Sequence, residues 1–155
     1  MPARTWLASA DEADRVAALL AGFRDHMGRD EPTEAQLRAT VDVLMRDPDT
    51  EFLLGARDGG AAAAGVCQLR YRLAVWTGRP DCWLEDLFVE REARRAGLGR
   101  ALVEAAVERA RARGCARIDL DVNEDNERAL ALYTAMGFTT EPKPPGRTLY
   151  VARKL

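Results

Sequence analysis

Apolar positions along this chain switch between helical and strand periods, and the switches mark out its elements. Thr5 to Ala8 predicts a short strand. Ser9-Ala10-Asp11-Glu12 has the S-x-x-E form of a capping box and opens a helix to about His26, with Val16, Leu19, Leu20 and Phe23 as its stripe. Thr33-Glu34-Ala35-Gln36 is a second capping box. Its helix carries Leu37, Val41, Leu44 and Met45 and stops at Asp47-Pro48. Glu51 to Arg57 and Ala61 to Tyr71 predict two strands joined by the turn Asp58-Gly59-Gly60, although the alanines at 61–64 lean towards helix. Trp76 to Pro80 is a loop and Cys82 to Val89 a strand. Gly97 to Arg113 is a long helix closed by Gly114. Ala116 to Val122 alternates cleanly, with Ile118, Leu120 and Val122 on one face and Arg117, Asp119 and Asp121 on the other. Asn126 to Met136 is a helix ended by Gly137, and Phe138–Glu141 and Arg147–Lys154 predict two last strands. The order is β-α-α-β-β-β-α-β-α-β-β. It predicts one α/β domain over residues 1–155, with a central sheet of about seven strands and helices on both faces.

Composition narrows the class. Of 155 residues 47% are hydrophobic and 31% charged, a globular profile. No uncharged run, Gly59–Leu69 and Ala129–Thr140 included, is long enough to cross a bilayer, and the first residues lack the apolar core of a secretory signal. A cytoplasmic protein with no membrane partner is expected. The balance of 23 basic and 25 acidic residues gives no footprint for nucleic acid. Cys67, Cys82 and Cys115 are scattered, and the single histidine, His26, completes no metal set, so no metal is expected.

Chemistry concentrates where a strand, Trp83 to Val89, runs into Arg94-Arg95-Ala96-Gly97-Leu98-Gly99-Arg100 and then a helix. Helix starts leave N–H groups unpaired, glycines let the backbone approach an anion, and arginines add donors for phosphate oxygens. The segment fits a pyrophosphate cradle. Taken alone, it equally fits an ordinary helix start with a solvated basic turn. It is not a Walker A loop, since no G-K-[ST] follows, and the third glycine of a dinucleotide fingerprint is missing.

These residues resemble the GCN5-related N-acetyltransferase superfamily. Its phosphate motif [QR]-x-x-G-x-[GA] is met by Arg94 to Gly99. A second family motif is met by Asn126, Ala129, Leu132-Tyr133 and Gly137-Phe138, and the element order matches over nearly the whole chain. The resemblance implies a mixed, mostly antiparallel sheet and acetyl-CoA as co-substrate. Leu87, Phe88 and Val89 would pair through their backbone with the pantetheine arm. The loop from Arg94 through Arg95, Ala96, Gly97, Leu98 and Gly99 to Arg100 would hold the pyrophosphate, and Asn126 the pantetheine or phosphate region. The sheet would splay open between Cys82–Val89 and Ala116–Val122. Many relatives pair, so a homodimer is an expectation.

Acetyl transfer to an amine then sets the chemical demands. An alkyl ammonium has a pKa near 10.4, so only about one molecule in a thousand is nucleophilic at pH 7 and a base is needed. A backbone N–H near Phe88 or Val89 can stabilise the oxyanion. Tyr133, at the tyrosine position of the family motif, is assigned as general acid for the leaving thiolate and as part of the cofactor site. At its helical spacing it also fits a core aromatic. Glu85 is the base candidate. It lies two residues before Leu87 and shares that residue's face unless a bulge intervenes, with Asp86 pointing the other way.

Leu84 to Val89, with Trp76 upstream, is similar to the diamine N-acetyltransferase branch of the family. That branch tends to carry an acidic residue before the tryptophan, where Ala74-Val75 stand here, which argues against a polycation. Trp76, Glu85 and Asp86 are the candidate acceptor-binding residues, with Asp25, His26, Asp30 and Glu31 as a variable wall. Asp119 and Asp121 fit either a cation site or partners for helix arginines. The expected activity is direct transfer to a primary amine of a small molecule. A protein or peptide acceptor, and a CoA-binding module without turnover, are the competing readings.

Overall fold

A computed structural model describes residues 2–140 and 149–155. The chain divides into two compact units, one running through Leu120 and the other beginning at Asp121.

The first unit is a five-stranded sheet in the order β1 (Arg4–Leu7), β2 (Thr50–Ala56), β3 (Gly65–Ala74), β4 (Arg79–Val89) and β5 (Arg117–Asp119). Neighbours pair antiparallel except β4 and β5, which are parallel. Parallel neighbours need a crossover, and α3 (Leu98–Ala112) supplies it. Ser9 and Thr33 cap as predicted. Both the Ser9 N–H and its hydroxyl donate to Glu12, opening a 3-10 turn that leads into α1 (Ala13–His26). Thr33 accepts from the Gln36 N–H and starts α2 (Glu34–Met45).

Side-chain alternation along the strands divides the core into two layers. Val16 and Leu19 of α1 and Val41 of α2 pack on Phe52, Leu54, Val66 and Phe88. On the other face α3 lies tight against the sheet. A Cβ at Gly55 would stand 2.7 Å from Leu98, and one at Gly65 2.9 Å from Leu102. These two glycines let α3 approach, and both leucines are fully buried. Every residue of β2 is buried, because helices cover it on both sides.

The sequence reading needs correction at several edges. Five strands form among the described residues, not about seven. Phe138–Thr140 and Leu149–Lys154, the described parts of the last two expected strands, have no ladder partner there, and the rest of that pair, residues 141–148, lies outside the described residues. β5 stops at Asp119, short of Val122, because its pairing with β4 ends at Trp83. β3 starts at Gly65, and the alanine run before it, of low strand propensity, stays outside the ladder. The β3–β4 ladder instead runs on to Ala74 and Arg79, which leaves Trp76 at a tight hairpin tip.

The second unit contains α4 (Glu127–Ala135). The Asn126 side chain accepts from the Ala129 N–H at its start. The Tyr133 ring meets Phe138 edge-on, with centroids 5.6 Å apart.

Candidate active site

The loop from β4 to α3 is built to leave main-chain donors open. After a 3-10 turn at Arg91–Ala93, Arg95 takes φ 64° and Gly97 φ 75°, both left-handed. Two such residues within three curl the chain sharply into α3, whose N-cap is Gly97 and carries no side chain to cap with. The N–H groups of Arg95, Ala96, Gly97, Leu98, Gly99 and Arg100 donate to nothing among the described residues. Together with the positive end of α3 they form a cluster of donors suited to an anion. Arg94 does something else. Its Nε donates to the Val89 carbonyl at 2.9 Å and its guanidinium lies 5.8 Å from the Phe88 ring, so it ties the loop back to the strand end.

The strand leading into this loop has an open edge. β4 pairs with β5 only from Asp81 to Trp83, opposite Arg117 to Asp119. From Leu84 to Val89 it has no strand on that side among the described residues. Five residue steps at about 3.3 Å give roughly 17 Å of open main chain ending at the α3 N-terminus. An extended molecule with an anionic group at one end fits along it.

At the far end of this edge β4 carries a bulge. Leu69 pairs with Leu84 and Gln68 with Asp86, so Glu85 has no counterpart on β3. The extra residue changes which faces the neighbours share. Leu87 pairs with Cys67 on the α3 face. Glu85 lines an open hollow of about 520 Å³ with Arg70, Arg72, Asp81, Trp83 and Asp119. Arg70 and Arg72 continue the alternation of Val66 and Gln68, and Asp81 and Trp83 pair with them, so most of this hollow's lining belongs to the α1–α2 face, with Tyr71 and Cys82 contributing from the other. Glu85 therefore does not share the Leu87 face, and Asp86 does not point opposite to Glu85. Asp86 lies beside Gln68 in a smaller hollow of about 190 Å³ with Phe23, Glu31 and Leu44.

Trp76 is 96% exposed at the hairpin tip, and it is Trp83 that lines the Glu85 hollow. Asp119 accepts from Arg117 of its own strand at 2.6 Å, not from a helix arginine. Asn126 uses its side-chain oxygen as the α4 cap, and Tyr133 is 8% exposed. His26 lies on the surface, 6.2 Å from the Phe88 ring centroid.

Sequence reading missed Arg70 and Arg72. Their signal was present, because Gln68, Arg70 and Arg72 are polar at every second position of a strand whose other positions are apolar. It also missed the cluster beneath Tyr71. Glu51, 8% exposed, accepts from Arg109 Nε at 2.9 Å, from the Tyr71 hydroxyl at 2.8 Å and from Arg113 at 3.3 Å. Burial pushes the Glu51 carboxyl up, but these donors outweigh it and hold it below the usual range. Burial also raises all three thiols, Cys82 to about 12, so they stay protonated and poorly nucleophilic. No group of potential metal ligands occurs among the described residues, and no helix there is long and apolar enough to cross a membrane.

Comparison with known proteins bears on this geometry. The family model described as the Acetyltransferase (GNAT) family matches residues 9–138. A mycothiol acetyltransferase of Nocardiopsis dassonvillei is 35% identical over 143 residues, which cover 87% of this chain and 41% of that protein. The chain spans less than half the length of the mycothiol acetyltransferases it matches. A thialysine N-epsilon-acetyltransferase of Caenorhabditis elegans is 32% identical over 88% of this chain and 82% of its own length. A solved structure from Arthrobacter sp. FB24 superposes with a TM-score of 0.83 at 29% identity, covering 98% of this chain and 96% of that one.

Proposed function

Because this chain belongs to the acetyltransferase (GNAT) family, we propose that it moves the acetyl group of acetyl-CoA directly to a primary amine of a small molecule. The observation that carries this is the edge of β4 from Leu84 to Val89, unpaired among the described residues, which runs into six N–H groups at residues 95–100 that have no partner there either. The edge offers backbone to an amide-bearing arm, and the loop offers donors to a pyrophosphate. Similarity to a mycothiol acetyltransferase and to a thialysine N-epsilon-acetyltransferase supports a small-molecule amine.

Acetyl-CoA supplies an activated thioester, and the chain's own groups supply the rest. Glu85, at the bulge and facing the hollow, takes the proton of the incoming ammonium, directly or through water. A main-chain N–H near Phe88 or Val89 polarises the acetyl carbonyl. Tyr133 returns a proton to the leaving thiolate. Arg94 is a positioning residue, fixing the loop to the Val89 carbonyl. Protonated thiols at positions 67, 82 and 115 favour direct transfer over an acyl-enzyme.

The test has two arms. Calorimetry of acetyl-CoA on the folded protein should give heat that is lost in a Gly97/Gly99 double replacement. With an accepted amine, Glu85→Gln should lower kcat by about a hundredfold and remove the acid limb of the pH profile. Unchanged kcat and profile would rule out Glu85 as the base.

A further inference from the structure

The hollow beside Glu85 contains more charge than a general base needs, and the charges are of both signs. Arg70 and Arg72 project into it from alternate positions of β3, and neither makes a hydrogen bond or ion pair among the described residues. Glu85 projects into it from the bulge of β4, also without an ion pair there. Asp81 Oδ1 is buried with no hydrogen-bond partner, whereas Asp119 is held by Arg117. Asp81 lies directly across the ladder from Arg72, whereas the hairpin keeps Glu85 apart from both arginines. Arg70 pairs across the ladder with Trp83, two residues before Glu85. Strand spacing and rise then put the Arg70 and Glu85 backbones about 8 Å apart, and Arg72 is a further two residues away.

Resting on the acetyl-transfer reading above, we propose that the acceptor of this enzyme carries a carboxylate as well as its amine. Arg70 and Arg72 clamp the carboxylate while Glu85 receives the amine, with several bonds between the two groups. The guanidinium fork matches a carboxylate in shape and charge. Trp83 lines the hollow between the two ends and offers an apolar face to the connecting chain.

Matched acceptors test this. Lysine against cadaverine and ornithine against putrescine differ only in the carboxylate. With acetyl-CoA saturating, the carboxylate-bearing member of at least one pair should be favoured by about tenfold or more in kcat/KM. In the Arg70→Gln/Arg72→Gln protein the ratio should fall to within about threefold of unity, with the loss in KM and not in kcat. Arg70→Lys/Arg72→Lys, which keeps the charge but not the fork, should lie between, and an unchanged melting curve excludes misfolding. Preference for the decarboxylated member in the unaltered protein, or an unchanged ratio in the Gln variant, overturns the clamp. If acetyl-CoA binds but no amine turns over, the acetyl-transfer reading falls. The clamp is then judged by ligand-observed NMR of lysine and cadaverine. Selective binding of lysine that the Gln variant loses upholds it, and equal binding overturns it.

Discussion

Gly97 holds φ 75° with nothing within 4 Å of the place a Cβ would occupy. A side chain there meets no neighbour, so the penalty of Gly97→Ala is conformational, about 1–2 kcal/mol. The expected result is a lowered melting temperature with weakened acetyl-CoA binding. Arg95 adopts the same hand while carrying a Cβ, so Arg95→Gly should leave stability level or raise it slightly. Arg94 acts through a single contact. Arg94→Ala removes the donor from the Val89 carbonyl, a charge-assisted bond worth about 1.5–3 kcal/mol. Calorimetry should show a raised acetyl-CoA Kd. If loop anchoring is its whole role, kcat at saturating acetyl-CoA should change little.

At the scale of elements, the position of α3 depends on two glycines of the sheet beneath it. Gly55→Ala would set a methyl 2.7 Å from Leu98 Cδ1 in a filled core. Overpacking of this kind costs about 1–3 kcal/mol. Because Leu98 is the first residue of α3, the strain falls on the turn that presents the free N–H groups. We expect Gly55→Ala to lower both the melting temperature and acetyl-CoA affinity, although residue 55 lies outside the donor loop. Loss of stability with unaltered affinity would show that α3 yields elsewhere along its length. The bulge in β4 is the other element-scale device. It gives Glu85 a place outside the ladder, so the side chain that faces the hollow bears no cross-strand pairing.

At the scale of the molecule, the Glu51 cluster links the start of β2 to the last turns of α3. The carboxyl is held below its ordinary value of 4.5: burial raises it, and hydrogen bonds from Arg109 and Tyr71 more than reverse that. A depressed folded-state pKa contributes stability that is present above the unfolded value and lost as pH falls through the folded one. Acid titration of the melting temperature should therefore fall below about pH 4.5 with a slope that Glu51→Gln reduces. The Glu51 carboxyl is buried against α3, and its cluster reaches the Glu85 hollow only through Tyr71, which lines it, so we expect Glu51 to act on stability. Glu51→Gln should accordingly leave the pH profile of turnover unaltered.

Local chemistry was legible in the amino-acid order alone. The capping residues Ser9 and Thr33, the stripes of α1 to α3, the period-two strands and the loop from Arg94 to Arg100 all depend on neighbours within a few residues, where spacing dictates geometry. Contacts between distant segments were not legible. No local pattern marks the bulge at Glu85, because it exists only in the register of β4 against β3. The early end of β5 depends on where its pairing with β4 stops, and the placing of Arg70, Arg72 and Glu85 around one hollow depends on a hairpin whose ladder ran longer than its propensities indicated. The chain order determined which groups were at hand for the proposed acetyl transfer. Tertiary pairing decided which of them face one another, since side-chain direction in a sheet reverses with every residue by which the register moves.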